Sequence, residues 1–125
     1  MIRRAFLFIA LTLVALVPLT TPQPAAAKLG DRMNYIVYSD IPTKTWVTWY
    51  RSETFGNRKI ISSGWMEPHK WFRQELIQGN TYYVRGEVMN EKGQRTYDTT
   101  AQVEIGPGHA TSKTLKKGNG NYYWQ

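Results

Sequence analysis

Cysteine is absent from all 125 residues. That removes disulfides, thiolate metal sites and thiol nucleophiles in one step. Histidine is nearly absent too. His69 and His109 are the two copies, and no i, i+4 spacing joins them into a ligand pair. No metal and no cofactor is expected. The sequence has no Gly-x-Ser-x-Gly elbow, and Ser62-Ser63-Gly64 reads as a turn. It has no phosphate-cradling loop: Gly106-Pro107-Gly108 places proline where a backbone donor is needed, and no Gly-Lys-Ser/Thr follows. Asp98, Glu104, Glu87 and Glu75 are the carboxylates that could pair for glycoside hydrolysis. Strand alternation puts Asp98 and Glu104 on a wet face, the ordinary place for solvated charge. No catalytic residue is assigned, and the chain is not expected to be an enzyme. An Asn-x-Ser/Thr acceptor is also missing. With the lack of disulfides, this leans towards a bacterial exported protein.

Long apolar runs are missing except at the start. Arg3 and Arg4 precede an apolar run over Ala5–Val17, broken only by Thr12, and Pro18 stops it. Ala25-Ala26-Ala27 then offers small residues for a signal peptidase. Charge, apolar stretch and small-residue site in this order make a secretory signal over residues 1–27. The run is shorter than the roughly 20 residues a spanning helix needs. The expected mature protein begins at Lys28, is secreted or extracytoplasmic, and has no transmembrane span after cleavage. Loss of Arg3 and Arg4 lowers the formal charge from +7 to about +5. That excess favours anionic partners and also serves solubility.

What remains is rich in β-formers. Residues 28–32 read as a leader. Met33–Ser39, Lys44–Ser52 and Arg58–Ser63 are candidate strands, the last broken at Ser63-Gly64. Residues 67–77 could start a helix at Pro68. However, Phe72, Gln74 and Leu76 alternate with Trp71, Arg73 and Glu75, so a strand is preferred. Thr81–Asn90 and Gln94–Ile105 form the clearest hairpin. Its inner sets are Tyr82, Val84, Gly86 and Val88 on one arm and Tyr97, Thr99, Ala101, Val103 and Ile105 on the other. The fold class is all-β: an immunoglobulin-like β-sandwich of about seven strands over residues 33–109, with a small β-barrel as the alternative. Residues 110–125 form a basic, aromatic tail that is either a last hairpin or an extension.

Aromatic residues are the excess: five Trp, eight Tyr and four Phe. If Val47 and Trp49 are core, Trp46 and Tyr50 face outwards. Two exposed aromatics on one strand can bind sugar rings, lipid headgroup regions or a protein, or can simply cover the sheet. Arg85 lies on the outer face of its arm and extends the patch. In the tail, Lys116 and Lys117 beside Tyr123 and Trp124 fit an anionic surface. These seven residues are the candidate partner-binding set.

The run NYIVYSD, the strand TKTWVTWYRSE, the segment around Lys70-Trp71-Phe72 and the late hairpin from Val84 to Thr99 together resemble the extracytoplasmic domain of the mycobacterial small membrane proteins (MmpS-type) and related actinobacterial exported domains. The resemblance covers residues 34–105. It implies a β-sandwich that assists a large membrane exporter without being an enzyme. The chain departs from that family in having no cysteine pair and a cleavage site in place of an anchor. No functional residue is carried over.

The expected function is an exported, non-catalytic binding or accessory module at the cell envelope. Its partner would be an anionic polymer, a lipid headgroup or an envelope protein. The competing readings are a secreted inhibitor or effector of another protein and a small wall- or polysaccharide-active hydrolase. Nucleic acid is not an expected partner, because export removes the chain from it.

Overall fold

A computed structural model describes residues 29–125; the expected signal segment lies outside the described residues. Eight strands form: β1 (Arg32–Ser39), β2 (Thr45–Ser52), β3 (Arg58–Met66), β4 (Trp71–Ile77), β5 (Tyr82–Met89), β6 (Arg95–Val103), β7 (Ser112–Lys117) and β8 (Tyr122–Trp124). They make two four-stranded sheets, β4-β1-β7-β8 (sheet I) and β3-β2-β5-β6 (sheet II). Neither closes on itself, so the fold is a sandwich and the barrel alternative falls. Among the described residues no helix is long and apolar enough to cross a membrane.

Alternation decides which side of each strand is dry. On β2, Val47 and Trp49 are buried; on β5, Tyr82, Val84 and Val88 are buried. Sheet I contributes Tyr35, Val37, Leu76 and Leu115 to the same core. The Tyr35 and Trp49 rings meet edge to face across the core, their centroids 5.6 Å apart. Residues 71–77 are a strand, so the preference for alternation over the Pro68 helix signal holds.

Two glycines permit close approach of the sheets. Gly64 does not end β3, contrary to the sequence reading; the strand runs on to Met66. A Cβ at Gly64 would lie 2.8 Å from Cε2 of Phe72 on the opposite sheet. At Gly86 a Cβ would lie 3.0 Å from the Trp124 ring and 3.2 Å from Cγ2 of Thr45.

The tail is part of the sandwich. β7 pairs in parallel with β1, with Tyr38 opposite Thr114 and Ser39 opposite Leu115. β8 returns antiparallel along β7 through a turn closed by Gly118 N–H donating to the Asn121 carbonyl at 2.7 Å. Leu115 is fully buried, and Trp124 Nε1 donates to the Thr99 carbonyl at 3.1 Å. The order β3-β2-β5-β6 corresponds to C′-C-F-G of an immunoglobulin-like sandwich, with β1 and β4 in the B and E places. Where that fold sets an N-terminal strand beside B, this one sets β7.

The connections sort to two ends. The β1–β2, β3–β4, β5–β6 and β7–β8 turns lie at one end, here the upper. The β2–β3, β4–β5 and β6–β7 turns lie at the lower end, with the entry of the described chain at Leu29, where Gly30 N–H donates to the Gln78 carbonyl at 2.9 Å.

Candidate functional site

The candidate residues separate onto opposite faces. Trp46, Tyr50 and Arg85 stand on the outer face of sheet II, whereas Lys116 and Tyr123 stand on the outer face of sheet I. A single patch built from all seven is therefore not formed.

The outer face of sheet II is occupied with itself. Trp46 is paired across the ladder with Trp65, their rings edge to face at 4.9 Å, and the Lys44 ammonium lies 4.3 Å from the Trp65 ring centroid. Arg85 Nε donates to both Asp98 oxygens, at 3.0 and 2.9 Å, and Nη2 donates again to Oδ2. Nη1 donates to the Tyr50 hydroxyl at 3.3 Å and lies 3.7 Å from Glu87 Oε1. The Asp98 hydrogen bonds, then the one to Tyr50, raise the Arg85 pKa above its already high ordinary value. Glu87 also pairs with Arg95, and the Arg58 guanidinium stacks 3.7 Å from the Tyr83 ring centroid. Here aromatics and charges meet cross-strand partners, the ordinary way a sheet surface is covered.

Sheet I differs. Trp71 on β4 stands opposite Tyr38 on β1; Tyr38 stands opposite Thr114 on β7; and Lys116, two residues on, stands opposite Tyr123 on β8. The three rings are 58%, 41% and 41% exposed for Trp71, Tyr38 and Tyr123. They span four adjacent strands, about 14 Å at the usual strand spacing. Arg73 and Ile36 face each other in the row below. Neither Arg73 nor Lys116 enters an ion pair among the described residues, and Glu75, two residues beyond Arg73 on β4, is held by Arg32 at 2.9 Å.

Two of the seven candidates are elsewhere. Trp124 turns inwards against Gly86 and the core, and Lys117 sits opposite Tyr122, whose ring packs 5.4 Å from that of Tyr97 where β8 meets β6. Sequence reasoning missed Tyr38, Trp65 and Trp71 as surface groups. The signal for Trp71 was present, since it alternates with the buried set of its own strand.

The histidines gain acid neighbours without forming a site. His69 Nδ1 is 3.9 Å from Asp40, and His109 Nδ1 is 3.6 Å from Glu104. No group of three or more such ligands gathers among the described residues. At the upper end an open hollow of about 510 Å³ lies between loops carrying Lys44, Lys92, Glu67 and Glu91, a mixed charge that favours neither sign of ligand. Comparison with protein-family models, curated proteins and solved structures returned no match.

Proposed function

We propose that the chain is an exported, non-catalytic binding module that holds an anionic polysaccharide of the cell envelope against the outer face of sheet I. One observation carries this reading: Trp71, Tyr38 and Tyr123 lie exposed across four strands, interleaved with the unpaired cations Arg73 and Lys116. Tyr and Trp rings offer an apolar face to a sugar ring and a polar edge to its hydroxyls. The cations suit carboxylate or phosphate groups along the polymer. Export rests on the sequence signal at residues 1–27.

The test mixes the full chain with washed cell envelopes, split into wall and membrane fractions, at low and high salt. Retention in the wall fraction that falls with salt is expected. Tyr38→Ala combined with Trp71→Ala should weaken it about tenfold or more. Unchanged retention of that variant would overturn the reading. Salt-resistant retention by the membrane fraction would instead favour an envelope protein, such as the exporter implied by the family resemblance. Retention by neither would favour a free secreted inhibitor.

A further inference from the structure

The exposed large hydrophobic side chains divide by chemistry along the long axis. Tyr38, Trp65, Trp71 and Tyr123, which carry a polar atom on the ring, stand towards the upper half of their sheets. Leu29, Phe55 and Ile60, which are hydrocarbon alone, are 82%, 100% and 59% exposed and all belong to the lower end. Leu29 lies over Gly79 of the β4–β5 turn, Phe55 is at the apex of the β2–β3 hairpin, and Ile60 faces outwards opposite Tyr50 just above it.

Phe55 is the sharpest of these. It has φ 61° and ψ 30°, a left-handed conformation that bulky residues avoid. Its ring is wholly exposed, so folding recovers nothing from it. Folding stability gives no account of a phenyl group held out at a hairpin tip. The same hairpin carries Arg51, Arg58 and Lys59 against Glu53 alone, and Glu53 is 3.5 Å from Arg51. Arg58 and Lys59 are exposed and in no ion pair among the described residues.

We propose that the lower end docks on an anionic phospholipid surface, with Phe55 entering the boundary between headgroups and acyl chains and Arg58 and Lys59 meeting the phosphates. Hydrocarbon side chains beside cations are the composition of a group that lies in that boundary. A protein-binding hot spot would instead set Trp, Tyr or Arg into a pocket. The hollows at this end are lined by Gln102, Glu104 and His109 and exclude Phe55 and Ile60. Sheet I stands upright in such an arrangement, its outer face unobstructed. The two surfaces are separate, so either proposal can fail alone.

Because the chain lacks cysteine, single nitroxide labels can be placed in the expected mature protein at Asn57→Cys, beside an intact Phe55, or, at the upper end, at Glu91→Cys. Accessibility to oxygen and to a nickel chelate is read on vesicles of phosphatidylglycerol mixed with phosphatidylcholine and on phosphatidylcholine alone. On the anionic vesicles the label at 57 should gain oxygen contact and lose nickel contact, while the label at 91 stays in water. Arg58→Glu with Lys59→Glu should return the label at 57 to water. Arg58→Gln with Lys59→Gln, which removes the two charges without reversing them, should lower its occupancy of lipid about thirtyfold, given about 1 kcal/mol per basic residue near such a surface. A label at 57 that stays in water, labels at 57 and 91 that enter lipid alike, or a depth at 57 indifferent to both charge changes would each overturn the proposal.

Discussion

Phe72 reaches across the sandwich to the backbone of Gly64, where a Cβ would stand 2.8 Å from its ring. The contacting atoms belong to a rigid, partly buried ring packed against the core, so neither side yields cheaply. Gly64→Ala should lower stability by about 1–3 kcal/mol, the usual range for overpacking. Denaturant unfolding measures it. Restoration by Phe72→Leu in the same chain would identify the ring as the cause.

Trp124 should matter to stability rather than to binding. Its ring fills the space over Gly86 and its Nε1 donates to Thr99. Trp124→Ala leaves a void and an unmet carbonyl, at a cost of about 3–5 kcal/mol. The loss would appear in the unfolding midpoint.

Thr45 should respond in the opposite direction. It is fully buried, and its hydroxyl finds no partner. Thr45→Val replaces that hydroxyl with a methyl group of similar shape. Stability should rise by about 1 kcal/mol, since an unmet buried hydroxyl costs about that much or more. A fall in the unfolding midpoint would refute this.

The two outer faces should separate in a binding assay. Trp46→Ala with Trp65→Ala removes the edge-to-face pair of sheet II and should cost about 1–2 kcal/mol of stability, while retention on envelopes is unchanged. The Tyr38 and Trp71 double variant should show the reverse. Equal effects on retention from both would deny that sheet I carries the ligand.

Burial pushes the Tyr35 pKa up to about 12, against an ordinary value near 10. The folded protein therefore favours the neutral phenol. Its contribution is complete below pH 10 and is lost as pH rises from 10 to 12. Each unit is about 1.4 kcal/mol, so the loss approaches about 2–3 kcal/mol by pH 12. Tyr35→Phe should flatten this part of the stability–pH curve, read from denaturation at several alkaline pH values.

The sandwich was legible wherever one side of a strand is dry. Val84 and Val88 against Arg85 and Glu87, and Tyr97 to Val103 against Asp98 to Gln102, state their faces directly. Gly64 was misread because a glycine that admits a ring from another sheet looks, in one dimension, like a glycine that ends a strand. The tail stayed undecided because Leu115 is a lone aliphatic among lysines, and its place beside β1 is a pairing between residues far apart in the chain. The placement of the candidate residues was hidden for the same reason. Alternation tells which residues share a strand face; it does not tell which strands are neighbours. Trp71 and Tyr38 are more than 30 positions apart and stand opposite each other. Trp46 and Tyr123 both point outwards, but on opposite sides of the molecule.

The parallel pairing of β1 with β7 ties the beginning of the domain to its end. During synthesis β1 can find β4, but its other edge stays bare until β7 has emerged. Sheet I cannot be completed from a partial chain, and Leu115 and Trp124 are the groups that seal the core. Contacts of such long sequence separation form slowly. Folding is thus paced by its latest arrival, the segment that carries Leu115 and Trp124.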